Sequence, residues 1–247
     1  LVQLLDGVTA CERRDLDRVV HVLVVGVLLG LQRGDIDIAR NLVADQIRQL
    51  QADGKYEVQS ARKASLLYLS LNQKHPQLSR PEVRQAIKLA LDYDAIQKNI
   101  VPTTFAVHQA FLPEGYLGAS DQNPWKYDVE AAKKILTDAG ITSGTITTKV
   151  RDLREYLDVA QTLQASMAQA GLTLNIEQMT GAQVLDAYRA REVPIFLGEW
   201  GPDYSDPNTN AATFAYNPDN SDEAAAVGLL AWRNAYEVPA EMNEATV

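Results

Sequence analysis

Apolar residues recur along this chain with two different periods, and the period assigns the elements. Leu66-Leu-Tyr-Leu-Ser-Leu71 is short and densely apolar, which predicts a central strand. Gly34-Asp-Ile-Asp-Ile38 alternates polar and apolar, as a half-buried strand does. Residues 16–24 predict another strand, with apolar residues continuing toward Leu31. Ala44 to Gln51 predicts a helix carrying Ile47 and Leu50, closed by Asp53-Gly54. Ser79-Arg-Pro81-Glu82 has the form of a capping box with proline in the first turn. Val83, Ile87 and Leu91, then Ile96 and Ile100, mark the buried side of the helix that follows. Asp128 predicts a cap for a helix from Val129 to Ala139, ended by Gly140.

The second half repeats a regular alternation. Thr145 to Val150 predicts a strand. Leu153, Leu157, Ala160, Gln164 and Met167 share a face at helical spacing, and Gly171 ends that helix. Leu172, Leu174 and Ile176 alternate as a strand, Val184, Leu185 and Tyr188 mark a short helix, and Pro194 to Glu199 is the next strand. Strand–helix–strand–helix–strand with short connections implies an α/β fold with right-handed crossovers and a mainly parallel sheet flanked by helices. Residues 102–126, rich in proline and glycine, read as an ordered surface excursion.

Composition narrows the function classes. The chain has 247 residues, 46% of them hydrophobic, with a formal charge of −9. Nucleic acid is a poor partner for it, because that affinity rests on Lys and Arg neutralising phosphates. The single cysteine, Cys11, excludes an intrachain disulfide and a multi-cysteine metal site. The apolar run Val19 to Leu31 is shorter than the ~20 residues a bilayer span needs. Asp15 and Asp17 flank it where a signal peptide carries positive charge, and Val8-Thr-Ala-Cys11 imitates a lipoprotein cleavage site with no basic residue before it. Both read as coincidences, so any export signal is expected outside this chain.

The candidate chemistry is concentrated at one place. In Pro194-Ile-Phe-Leu-Gly-Glu-Trp200-Gly-Pro-Asp203-Tyr204-Ser-Asp206-Pro-Asn208, an apolar run ends at an aromatic residue. Gly201-Pro202 then breaks the backbone, and acids and a tyrosine follow. Open α/β sheets bind ligands outside the carboxyl ends of their strands, so the segment reads as one wall of a ligand site. The residue types are equally compatible with Trp200 and Tyr204 packing beside a turn and with Asp203 as a turn or cap residue. His21, His75 and His108 stand in no metal-binding spacing, and there is no P-loop, G-x-S-x-G or G-x-G-x-x-G. The Asp203–Asp206 loop lacks the spacing of a calcium loop. Asp219-Asn-Ser-Asp222-Glu223 reads as a solvated turn and helix cap. No cofactor or metal is expected.

A series of short matches carries a family resemblance. It runs through Leu16-Asp-Arg-Val-Val20, Leu31-Gln-Arg-Gly-Asp35, Tyr68-Leu-Ser-Leu-Asn72, Pro81-Glu-Val-Arg-Gln-Ala-Ile87, Ala90-Leu-Asp92 and Leu112-Pro113. It continues through Tyr127-Asp128, Ala131 to Leu136, Ala139-Gly140 and Trp200-Gly-Pro-Asp-Tyr-Ser-Asp-Pro207. In this order they resemble the family 5 extracellular solute-binding proteins, the dipeptide- and oligopeptide-binding receptors of ABC importers. The resemblance implies a periplasmic-binding-protein-like, two-lobed receptor without enzymatic activity. Such a receptor is a bacterial periplasmic or lipid-anchored monomer that delivers a peptide or peptide-like solute to a membrane permease. It implies that Asp203 pairs with the ligand's α-ammonium group, with Trp200, Gly201 and Tyr204 beside it and Tyr68 and Asn72 as further site residues. Leu197 stands where some oligopeptide receptors carry an arginine for the peptide carboxylate, which puts a free-carboxylate ligand in question. Family members are longer, so residues 1–57 are expected to be a remnant of lobe I. Residues 58–247 would then be a truncated lobe II, and the chain a fragment. Two other readings remain open from the residues: an α/β hydrolytic enzyme using an Asp203/Asp206 acid pair, and a bare interaction domain.

Overall fold

The computed structural model describes residues 26–39, 42–59, 64–102 and 104–246. Cys11, His21 and the strand expected over 16–24 lie outside the described residues. The chain divides into two compact units, one comprising 1–63 with 101–106, the other 64–100 with 107–247.

In the first unit, residues 26–33 form a helix, α1, and Ala44–Asp53 form α2. Gly34 follows α1 at φ 77°, a conformation that only glycine adopts freely, and Asp35 N–H returns to the Gly30 carbonyl at 2.8 Å. The alternating stretch after Gly34 is therefore not a strand. It is the turn that closes α1, and Ile38 stands 76% exposed. Gly54, at φ 66°, ends α2, which buries Ala44, Ile47 and Leu50.

The second unit holds four strands: β1 (Leu66–Leu71), β2 (Thr145–Arg151), β3 (Thr173–Met179) and β4 (Ile195–Trp200). Between and after them run α3 (Pro81–Ala90), α4 (Tyr93–Asn99), α5 (Val129–Asp138), α6 (Arg154–Ala170), α7 (Gly181–Arg189), α8 (Pro207–Phe214), α9 (Leu230–Arg233) and α10 (Ala240–Thr246). The fold is α/β, as the alternation implies. β2 and β3 pair in parallel across α6, from Thr145 beside Thr173 to Arg151 beside Met179. β4 departs from the expected parallel sheet: it pairs antiparallel with β1, Leu66 opposite Trp200 and Leu71 opposite Ile195.

The two strand pairs meet at one side chain. Thr148 of β2, 1% exposed, donates its hydroxyl to the Ile195 carbonyl at 2.6 Å and accepts from the Ile195 N–H at 3.2 Å. The threonine supplies both partners that a backbone ladder would have given this buried residue.

Several local expectations are corrected. Ser79 does not cap α3: Arg80 is the N-cap, and the Ser79 hydroxyl bonds the Pro76 carbonyl at 2.9 Å. The helical stretch after Pro81 is two helices, because Asp92 accepts the Ala95 N–H and starts α4 afresh. On α6 the buried residues are Tyr156, Val159, Ala160, Leu163, Ser166, Met167 and Ala170. Leu153 is 42% exposed, and Leu157 and Gln164 are half-buried. Packing against both α5 and β3 turned the helix about one residue from the face its leucines suggested.

The main core joins α3, α5, α6 and the inner faces of β2 and β3, with Val83, Ile87, Leu136, Ile146, Leu163 and Leu174 each at most 2% exposed. Burying side chains of this size contributes ~1.5–3 kcal/mol each. A second cluster of Val184, Tyr188, Val193, Phe196 and Leu230 lies beneath the end of β4, with Tyr68, Trp200 and Phe214 at its margin.

Candidate functional site

β4 is buried through Ile195, Phe196, Leu197 and Gly198 and emerges at Glu199 and Trp200. Gly198 lies opposite Tyr68 of β1. A Cβ on Gly201 would stand 2.6 Å from the Ser65 hydroxyl oxygen, so the chain leaves the sheet in close contact with the entry to β1. A six-residue excursion, 201–206, then carries the backbone to α8.

The far end of that excursion is capped. Asp206 accepts the Asn208 N–H at 2.7 Å, Pro207 occupies the first helical position, and Thr209 returns its hydroxyl to the Asp206 carbonyl at 2.7 Å. Asp206 is thus committed to a helix end, which leaves the Asp203/Asp206 acid-pair hydrolase without support. Asp203 and Tyr204 are exposed, Tyr204 by 65%. Among the described residues, no hydrogen bond or ion pair engages the Asp203 carboxylate.

The structure brings Trp200 and Tyr68 together through a third ring. Phe214 presents edge-on geometry to both, with centroids 5.5 Å from Trp200 and 5.3 Å from Tyr68. Burial pushes the Tyr68 hydroxyl pKa far up, with the neighbouring Tyr188 adding to it, so Tyr68 stays neutral. Asn72 is placed differently. It is 2% exposed, donates to the Arg191 carbonyl at 2.7 Å and accepts the Lys74 N–H at 3.0 Å. Leu197, at 6% exposure, faces the interior.

Two groups were not singled out by the sequence. Arg151 ends β2; its guanidinium lies 5.1 Å from the Tyr156 ring centroid and so close to Gly181 that a Cβ there would meet Nη2 at 2.9 Å. Its Nε is buried without a partner among the described residues. Nearby, burial raises the Glu155 pKa, with Glu199 and Asp158 adding to it. Glu199 therefore acts on the start of α6, and the carboxyl ends of β2 and β4 lie together. A cation closing a parallel strand was the available signal.

The second group is a clasp. Arg191, at φ 62° with its side chain 4% exposed, donates to Asp222 at 2.8 Å, to the Asn220 carbonyl at 2.9 Å and to the Asn220 side chain at 2.8 Å. It stacks 4.5 Å over the Trp232 ring. Lys74 reaches the same Asp222 at 2.6 Å. The 219–223 segment is more than the solvated turn expected of it.

His75 and His108 serve local turns. His75 Nδ1 accepts the Gln77 N–H at 3.3 Å, and His108 Nε2 lies 2.6 Å from the Leu112 carbonyl. Among the described residues, no group of three or more His, Cys, Asp or Glu is placed to hold a metal, and no helix is long and apolar enough to cross a membrane.

Comparison with known proteins places this geometry. The probable D,D-dipeptide-binding periplasmic protein DdpA of Escherichia coli K12 is 28% identical over 182 residues, 72% of this chain and 35% of that relative. The glutathione-binding protein GsiB of Pectobacterium atrosepticum is 27% identical over 165 residues, 66% of this chain and 31% of that relative. The chain thus spans about a third of the curated relatives it matches. Among solved structures, the fold is shared with DppA from Helicobacter pylori in complex with the peptide STSA, at TM-score 0.76 and 22% identity. That match covers 90% of this chain and 43% of that one. It is shared also with AgaA from A. tumefaciens R10 in complex with agropinic acid, at TM-score 0.71 and 21% identity, covering 89% and 44%. The family profile described as bacterial extracellular solute-binding proteins, family 5 Middle, matches residues 13–222. With that match running through both strand pairs and the loop after Trp200, the chain belongs to the family 5 bacterial extracellular solute-binding proteins.

Proposed function

We propose that this chain is the ligand-gripping part of a solute receptor that serves an ABC importer outside the cytoplasmic membrane. Its ligand is a peptide or peptide-like solute, and a membrane permease receives it. The observation that carries this reading is the Asp203 carboxylate, exposed and unengaged by described residues, on a loop fixed at both ends. A carboxylate held in that way is ready for a ligand ammonium, and a hydrogen bond to a charged group contributes ~1.5–3 kcal/mol.

Trp200, Gly201 and Tyr204 flank the ammonium position in this reading. Tyr68 braces Trp200 through Phe214, whereas Asn72, beyond Leu71 at the end of the strand pair away from Trp200, holds the Arg191 carbonyl and drops out of the proposed site. Arg151, at the neighbouring strand end, offers an anionic group of the ligand the counter-charge that Leu197 does not. The names of the relatives support small, zwitterionic ligands: a D,D-dipeptide for DdpA and glutathione for GsiB. Residues 1–57 then represent the remainder of one lobe and 58–247 most of the other, in a receptor that acts as a monomer.

The test is calorimetric titration of the full-length receptor with alanyl-alanine and with its N-acetyl derivative. Asp203→Asn is expected to lose about tenfold or more affinity for the free-amine dipeptide, since each tenfold is ~1.4 kcal/mol. It should leave the acetylated ligand unaffected. Equal affinity of Asp203→Asn and wild type for alanyl-alanine removes Asp203 from the site.

A further inference from the structure

We propose that Phe214 is the positioning residue of the Asp203 loop, which rests on the reading of Asp203 given above. The loop has little to hold it from within. Among the described residues its one internal backbone hydrogen bond runs from Asp206 N–H to the Tyr204 carbonyl at 3.0 Å. Its shape must then be set by its two ends. One end is Trp200, the last residue of β4. The other is α8, which starts directly after Asp206.

α8 is attached to other elements at two places, four residues apart on one face. Asp206 caps its start. Asn210, 0% exposed, donates to the Phe111 carbonyl at 2.6 Å. Phe214 ends the helix and turns its edge to Trp200 at 81° and to Tyr68 at 90°. Residues four apart lie one above the other on a helix, so Asn210 and Phe214 form a single stripe. The chain from Trp200 through the loop, along α8 and back through Phe214 to Trp200 is a closed circuit. An eight-residue helix is ~12 Å long and rigid, so an anchor at Phe214 fixes the angle at which its first turn presents the loop. Both edge-on contacts have the favoured geometry for aromatic pairs.

Phe214 lies outside the fully buried set of Val184, Tyr188, Val193, Phe196 and Leu230, half-buried and packed against its margin. A positioning role and a filling role therefore make different predictions. Removing a filler loosens the whole cluster, whereas removing the anchor loosens the loop.

The experiment measures backbone ¹⁵N order parameters in this chain for wild type, Phe214→Leu and Phe214→Tyr. Rigid backbone has values near 0.85 and flexible backbone below ~0.6. Phe214→Leu is expected to lower residues 201–206 toward the flexible value while β1 and β4 keep theirs, and Phe214→Tyr is expected to restore the loop. An unchanged loop in Phe214→Leu, or a drop shared equally by β1, β4 and α7, overturns the proposal. In the full-length receptor, Phe214→Leu should weaken alanyl-alanine binding several-fold without weakening the N-acetyl dipeptide. If the loop loosens and wild type shows no preference for the free amine, the role of Asp203 fails and the anchoring by Phe214 stands.

Discussion

Phe196 lies flat on Tyr188, with ring centroids 3.7 Å apart and planes 3° from parallel. Tyr188 is itself immobile: it is 0% exposed, and its hydroxyl accepts from the Asn234 side chain at 2.8 Å and lies 3.3 Å from the Ser70 hydroxyl. The stack holds the Phe196 ring back over Gly198, where a Cβ would stand 2.2 Å from its Cε1. Gly198 is thus glycine because a ring that cannot move occupies the place of its side chain.

Gly198→Ala is therefore expected to destabilise the protein by about 1–3 kcal/mol, the usual cost of overpacking. Thermal unfolding should register a fall of roughly 2–4 °C for each kcal/mol. Phe196→Leu in the same chain should make the two changes less than additive, because the clash is gone. Additive costs would show that the ring does not set the constraint.

Asn72→Ala is expected to cost about 1–3 kcal/mol, because it strips the buried Arg191 carbonyl of its donor. The loss should appear in urea denaturation, with amide exchange rising first around residues 190–194, where Arg191 holds φ 62°.

Asp222 is expected to give the protein an acid-sensitive contribution. The hydrogen bond from Lys74, with the charges of Lys74 and Arg191, holds its carboxyl below its ordinary value of 3.8. The unfolded chain then binds the proton more readily, so the contribution is fully present above that value and is lost as pH falls through the folded one. Urea midpoints between about pH 2 and pH 6 should fall more steeply for wild type than for Asp222→Asn. Parallel curves would show that the clasp carries no proton linkage.

On the two-lobed reading proposed above, in which both lobes supply ligand contacts, this chain alone is expected to bind dipeptides only weakly, since it spans about a third of its curated relatives. Calorimetry with alanyl-alanine should give a dissociation constant weaker than micromolar. Micromolar or tighter binding would place a complete site within these residues.

The elements legible in the sequence were those that a few neighbouring residues decide. Asp128 capping α5, Gly54, Gly140 and Gly171 in left-handed conformations at or just beyond helix ends, and the β2–α6–β3 crossover all follow from dihedral preference, local hydrogen bonds and short connections. The loop after Trp200 was legible for the same reason, since an apolar run and a Gly-Pro break are local signals, but its cap is Asp206 and not Asp203, the residue offered as a cap. The capping box at Ser79 misled because the helix starts one residue later, with Arg80 as its N-cap, while Ser79 closes the preceding turn through its N–H to the His75 carbonyl and its hydroxyl to the Pro76 carbonyl.

What the sequence determined by itself was the α/β order, the ends of α2, α5 and α6, and the family, together with the loop on which the site is proposed. Tertiary structure alone decided that β4 turns to pair with β1, which face α6 buries, that Arg191 closes on Asp222, and that Phe214 joins Trp200 to Tyr68. Each of these brings together residues from separate elements. Their energies depend on packing against partners distant along the chain, and no local period or cap encodes those partners.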